Sequence, residues 1–214
     1  MTSIRTKSIT HQDGLKLLGF LKNAYDDYLA SRALLNHNLI LQGAILANTS
    51  IEKYFKAILM FKGDTIKHTH SIKNFLPSIK NFDISLYKKL NKEFIHRLDA
   101  CYSLRYIDTV PENFKITLLK KQTLAELDFT ISLVFDKIKI KQKNRDENKH
   151  QYQKDKESNR NELCENNYLF GALTKDTFLT GIDDVYQFYV DNYKNFIEIK
   201  YQTDIKSKQT TTNI

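Results

Sequence analysis

A chain of 214 residues with only 2 prolines and 6 glycines has few places to turn. That scarcity excludes most all-β designs, in which turn signals recur about every 8–12 residues. Long helices are the expectation. Hydrophobic residues make up 41% of the chain, and 12 Tyr with 13 Phe supply enough bulk to fill a helical interior without tryptophan. The length suits one domain of ordinary size with an appended segment.

Apolar periodicity locates the helices. Over residues 14–37, Leu17, Leu21, Ala24, Tyr28, Ser31 and Leu35 recur at steps of three or four, the period of one buried helix face. Ala44, Ala47, Ile51, Phe55 and Ile58 repeat the pattern over 39–62, and Gly63 follows where a left-handed cap belongs. Residues 65–81 read as a connection with a short helix, Ser71 its candidate N-cap and Pro77 near its end. Asp83 is placed to cap a third long helix, through Tyr87, Leu90, Phe94, Leu98, Cys101 and Leu104 to about 107, before Pro111 breaks it. A fourth restarts near 113 and buries Leu118, Leu124, Leu127, Ile131, Val134 and Ile138.

The expected fold is therefore all-α: an antiparallel up-down four-helix bundle over 1–140, a charged helix continuation or linker over 141–160, and a C-terminal helical extension over 161–214. In the extension, Thr180-Gly-Ile-Asp183 resembles a capping box, and Tyr186, Tyr189, Tyr193 and Ile197 fall at helical spacing. This predicts a final helix over 182–201, packed on the bundle or on a second subunit.

The formal net charge is +8. Residues 137–160 hold nine Lys or Arg against four Asp or Glu, so +5 of that excess sits in one polar stretch and the rest of the chain is only mildly basic. Cys101 and Cys164 have no metal-type spacing and read as free thiols of a reducing compartment. No apolar run approaches membrane-spanning length and the first residues lack a signal-peptide pattern, so a soluble cytoplasmic protein is expected.

Phosphate loops, dinucleotide fingerprints, nucleophile elbows and HExxH zinc motifs are absent. His68 and His70, two apart, could serve a metal only with a further ligand from elsewhere; capping or filling the connection is the simpler role, and no metal or cofactor is expected. Glu52 and Lys56 stand four apart with Glu first, as in an ordinary surface pair.

Glu52-Lys53-x-x-Lys56-Ala57 after an Ala-rich stretch, His70-Ser71-Ile72 after the connection, and Arg105-Tyr106 before a break occur in an order that resembles the HEPN domain family, from about 13 to 138. The resemblance implies a small four-helix bundle, commonly a homodimer. It is associated with nucleotide binding, with a partner nucleotidyltransferase, or with ribonuclease toxins of bacterial toxin–antitoxin and conflict systems.

The ribonuclease branch of that family carries an Arg followed four to six residues later by His near the start of its last bundle helix. The pair supplies a proton-transfer group near pKa about 6.5 and a fixed cation for phosphate. Here Arg105 is followed by Val110, Pro111 and Glu112, with no His in the window. An Arg-x4-His does occur at Arg32 and His37, at the end of the first helix, where the family does not place its pair.

Glu52, Lys53, Lys56, His70, Arg105 and Tyr106 are therefore read as a ligand-binding groove, the cations meeting phosphate and Tyr stacking on a base. The competing reading is an ion pair of Arg105 with Glu52, Tyr106 packed across it, that sets helix register or a dimer interface. The functional expectation is a non-catalytic module that binds a nucleotide, RNA or a partner nucleotidyltransferase. Alternatives are a metal-independent ribonuclease drawing its His from His70 or His96, and a purely structural oligomerising scaffold.

Overall fold

The structure, a computed structural model, describes residues 11–64, 69–137 and 151–206. Helices α1 (His11–Asn36) and α2 (Ile40–Lys62) follow the foreseen stripes. Asn38 adopts φ 65° between them, a left-handed turn suited to Asn, and the chain doubles back so that the two helices pack along their lengths. Where they cross, Ser31 Oγ donates to the Gly43 carbonyl at 2.7 Å, and a Cβ on Gly43 would fall 2.7 Å from Leu35 Cγ. α2 ends at Gly63 in the left-handed conformation, φ 80°, as its position suggested.

Ser71 does not cap: its hydroxyl donates to Asp99 instead, and Ile72–Phe75 forms a single 3-10 turn. Pro77 lies in the first turn of α3 (Leu76–Phe82), where its missing N–H costs nothing. The expected third long helix is two, α4 (Ile84–Lys89) and α5 (Lys92–Ser103). The apolar period runs across the break, but Asn91 Oδ1 accepts from the N–H of Phe94 and begins a new helix there.

Asp83 caps α4 as anticipated, Oδ1 accepting from the N–H groups of Ser85 (2.8 Å) and Leu86 (2.9 Å), while Oδ2 pairs with Lys137 at 2.7 Å. Burial by itself would raise this carboxyl; the Lys137 ammonium and the N–H and O–H donors outweigh it and hold Asp83 well below the usual carboxylate range. A depressed folded value means stabilisation that is present above the unfolded value, about pH 4, and is lost as pH falls through the folded one. Asp83→Ala should therefore cost about 1 kcal/mol at neutral pH in urea titrations, with the gap to the native chain closing below about pH 4.

The chain is mostly helical, as expected, but the remaining elements correct the all-α expectation by adding a small sheet. Beyond Pro111 no helix begins at 113; the chain forms β1 (Phe114–Leu119) and only then α6 (Lys120–Phe135). Residues 138–150, with most of the charged stretch and Ile138, lie outside the described residues. There follow three short helices, α7 (Gln151–Glu157), α8 (Asn161–Cys164) and α9 (Lys175–Leu179). In place of the final helix over 182–201 stand two strands, β2 (Gly181–Val190) and β3 (Phe196–Ile205).

The sheet runs β1-β2-β3, antiparallel throughout. Ile116 lies opposite Phe188 and Leu118 opposite Tyr186, so these side chains share the face turned to the helices, and all four are buried. Tyr189 points to the other face, and Tyr193 sits in the hairpin loop, 87% exposed. Asp191 Oδ1 accepts from the N–H groups of Tyr193 and Asn195, closing that loop as an Asx turn, with Lys194 at φ 63°.

Asp183, read as part of a local capping box, caps a different helix. Leu119 at the N-cap of α6 offers no side chain, and Asp183 Oδ1 accepts the Lys121 N–H at 2.9 Å. One hydrophobic core spans α1, α2, α5 and α6 and also takes in Leu163, Tyr186, Phe188 and Val190. Among the described residues no helix is long and apolar enough to cross a membrane.

Candidate functional site

Glu52 lies on α2 beside Ile51 and Phe55, and its residue is only 4% exposed. A carboxylate that deep needs partners on both oxygens. Lys56, one turn on, takes Oε1, and His70 Nδ1 approaches Oε2 at 3.1 Å. The His70 backbone is held as well, its carbonyl accepting from Asn48 Nδ2 at 3.2 Å. Next to it, Ser71 Oγ and Lys73 Nζ both reach Asp99 Oδ2 on α5 at 3.1 Å. The segment around His70 is thus clamped between α2 and α5.

From there a row of side chains leads outward. The His70 ring stacks on Tyr102, centroids 5.6 Å apart at 26°. Arg105, just past the end of α5, donates Nη1 to the Tyr102 hydroxyl at 2.9 Å, and its guanidinium carbon lies 5.1 Å from the Tyr102 ring centre and 5.8 Å from that of Tyr106. Glu52 is closed off at the base, whereas the His70 side chain is 69% exposed and Arg105 and Tyr106 face solvent. Among the described residues no carboxylate pairs with Arg105; Glu52 is engaged by Lys56 and His70, not by Arg105. At the base, Asn48 Oδ1 and Asp99 Oδ1 are buried acceptors without a partner among the described residues, and only a donor could satisfy them.

The structure brings Glu52, Lys56 and His70 into contact and joins Arg105 and Tyr106 to them through Tyr102. It does not bring in Lys53, whose ammonium reaches back to Asp27 of α1 at 2.6 Å. The sequence reading missed Tyr102, although a residue three before Arg105 on a helix shares its face and could have been found that way. His96 is exposed on α5, and His68 lies outside the described residues. A small cleft between α5, β1 and α6, lined by Phe94, Arg97, Leu118, Gln122 and Glu126, contains none of the predicted residues. Its Arg97 is held by Gln122 and Glu93, so the open chemistry is in the row beside His70 rather than in that cleft.

Arg32 has a role of its own. It is fully buried, with Nη1 on the Asp128 carboxylate of α6, Nε on the Glu162 carbonyl at 2.9 Å and Nη2 on the Glu165 carbonyl. Tyr28 donates its hydroxyl to the other Asp128 oxygen at 2.7 Å. Burial works to strip the guanidinium of its proton, but Asp128 outweighs it and holds Arg32 above its ordinary pKa. Every guanidinium nitrogen is spent inside the protein, and His37 is exposed at the end of α1, so Arg32 and His37 form no common site.

Among models of known families, that of the HEPN domain matches residues 18–132, more than half of the chain, from α1 through most of α6. The match takes in all six predicted site residues and leaves out β2 and β3. No curated protein and no solved structure matches the chain.

Proposed function

The chain belongs to the HEPN domain family, and from that premise we propose that it is an RNA-binding module whose contact surface is the row Lys56, His70, Tyr102, Arg105 and Tyr106. The observation that carries the reading is Arg105: a cation at the rim, with no carboxylate among the described residues to neutralise it, lying against two tyrosine rings. A guanidinium flanked by aromatic faces suits a phosphate beside an unstacked base, the arrangement that single-stranded RNA offers.

Fluorescence anisotropy with a labelled single-stranded RNA tests it. Arg105→Gln should weaken binding and lower the slope of log affinity against log salt by about 1. Lys53→Gln, whose ammonium is spent on Asp27, should leave both unchanged. Unaltered affinity and slope in Arg105→Gln would reject the reading.

One observation favours a catalytic variant of it. With Nδ1 directed at the Glu52 carboxylate, the His70 ring is oriented and its other nitrogen is the one able to exchange a proton with substrate. A metal-independent ribonuclease would use it to take the 2′-hydroxyl proton as that oxygen attacks the adjacent phosphorus and to return the proton to the departing 5′-oxygen, so that the P–O5′ bond breaks and a 2′,3′-cyclic phosphate forms, with Arg105 stabilising the charge on phosphate. In that case His70→Ala abolishes cleavage of the labelled RNA while anisotropy still reports binding. RNA that stays intact with the native protein leaves the binding module as the function.

A further inference from the structure

Among the described residues β3 is hydrogen-bonded on one side only. It lies outermost in the order β1-β2-β3, and its register with β2 runs unbroken from Gly181↔Ile205 to Val190↔Phe196. No bulge twists the outer edge away and no proline interrupts it. Side chains from Phe196 to Gln202 are exposed on both faces, with Ile197, Ile199 and Tyr201 all on one of them. A ten-residue strand with an open row of N–H and C=O groups and apolar side chains is an edge that natural proteins pair or cover.

The order of charges says what pairs with it. On the second face Glu198, Lys200, Gln202 and Asp204 follow one another, with Lys206 just past the strand. In an antiparallel pair of two β3 strands centred on Gln202, Glu198 falls opposite Lys206 and Lys200 opposite Asp204, each pair occurring twice by the two-fold. On the apolar face Ile199 meets Ile205 and Tyr201 meets Thr203. Centring on Lys200 sets that lysine against itself, centring on Tyr201 sets Glu198 against Asp204, and centring on Thr203 sets Lys200 against Lys206. Centring on Ile199 keeps opposite charges together but makes one kind of charge pair, Glu198 with Lys200, in place of two.

We infer that two copies of the chain join edge to edge through β3, centred on Gln202, so that one antiparallel sheet runs across the dimer. The surface is separate from the His70 row, so its failure would leave the proposed function untouched.

Sedimentation velocity over a concentration series tests the pairing. The native chain should dimerise, and Lys200→Glu and Asp204→Lys should each raise the dissociation constant at least about tenfold by setting like charges opposite one another. The double variant restores opposite signs and should recover the dimer. That rescue separates the interface from the local loss of the Lys200 contacts with Asp184 and the Tyr186 ring. Gln202→Cys, in a Cys164→Ser background, should cross-link two copies on oxidation, since the two-fold brings that position against itself. A native chain monomeric at every concentration, single variants that dimerise normally, or absence of the cross-link would each overturn the proposal. Far-UV circular dichroism verifies that the variants are folded.

Discussion

Arg32→Ala should destabilise the protein by about 3–5 kcal/mol, read as a lower urea midpoint at unchanged slope, and Asp128→Ala by a similar amount. The size follows from what each truncation leaves behind. Both side chains of the pair are fully buried, so removing one strands an uncompensated charge in the interior. Losing Arg32 also takes a donor from the Glu162 carbonyl and leaves the Glu165 carbonyl only the longer bond from Asn36 Nδ2, 3.5 Å, and losing Asp128 leaves the Tyr28 hydroxyl without its acceptor. The joint replacement Arg32→Met with Asp128→Leu removes both charges at once and should cost far less than either single change. Arg32 ties residues around α8 to α1 and α6, so Arg32→Ala should also speed amide hydrogen exchange at 161–167 more than in α2. A loss under about 1 kcal/mol in both single variants would mean that the pair does not hold its charges in a dry interior.

Phe188→Ala should cost about 3–5 kcal/mol and lower the midpoint of a single melting transition for the whole chain. Phe188 is fully buried, opposite Ile116 and in the same cluster as the α2 and α6 side chains. Its removal therefore opens a cavity in the shared core. Ile197→Ala, on the open face of β3 and 41% exposed, should change stability by no more than about 0.5 kcal/mol. If the hairpin were an appendage with no share in the core, Phe188→Ala would leave the helical melt at 222 nm where it was. Asp183 gives the attachment a second point, because its carboxylate caps α6.

The two carboxylate caps show how far local reading reaches. Asp83 and Asp183 both precede residues that look helical, and a local rule assigns both to the helix that follows. Asp83 does cap its own helix. Asp183 caps one whose second residue, Lys121, lies 62 positions earlier in the chain. The aromatic run after it satisfies two periods at once, Tyr186, Tyr189, Tyr193 and Ile197 at helical spacing and Tyr186, Phe188 and Val190 at strand spacing. Only the pairing with β1 selects the second.

The site divides the same way. Glu52 with Lys56, and Tyr102 with Arg105, are neighbours on one helix face, so their proximity is written in spacing alone. The contact of Glu52 with His70, and the stacking of His70 on Tyr102, depend on how α2 and α5 close on the segment between them.

Helices α1 and α2, the left-handed stop at Gly63, the Asp83 cap, the order of family-like residues and the apolar stripes that form the core are all written locally in the chain. These depend on interactions within a few residues, where helix geometry alone decides which side chains meet. Long-range packing, by contrast, makes the C-terminal segment a hairpin, turns Lys53 away from the site and makes Arg32 an internal brace. In each case the deciding partner is far along the chain: β1 for the hairpin, Asp27 for Lys53, and for Arg32 a carboxylate 96 residues away and a carbonyl 130 away. No local pattern encodes such a partner, because the energy that selects it exists only once burial has removed the water that would otherwise satisfy those groups.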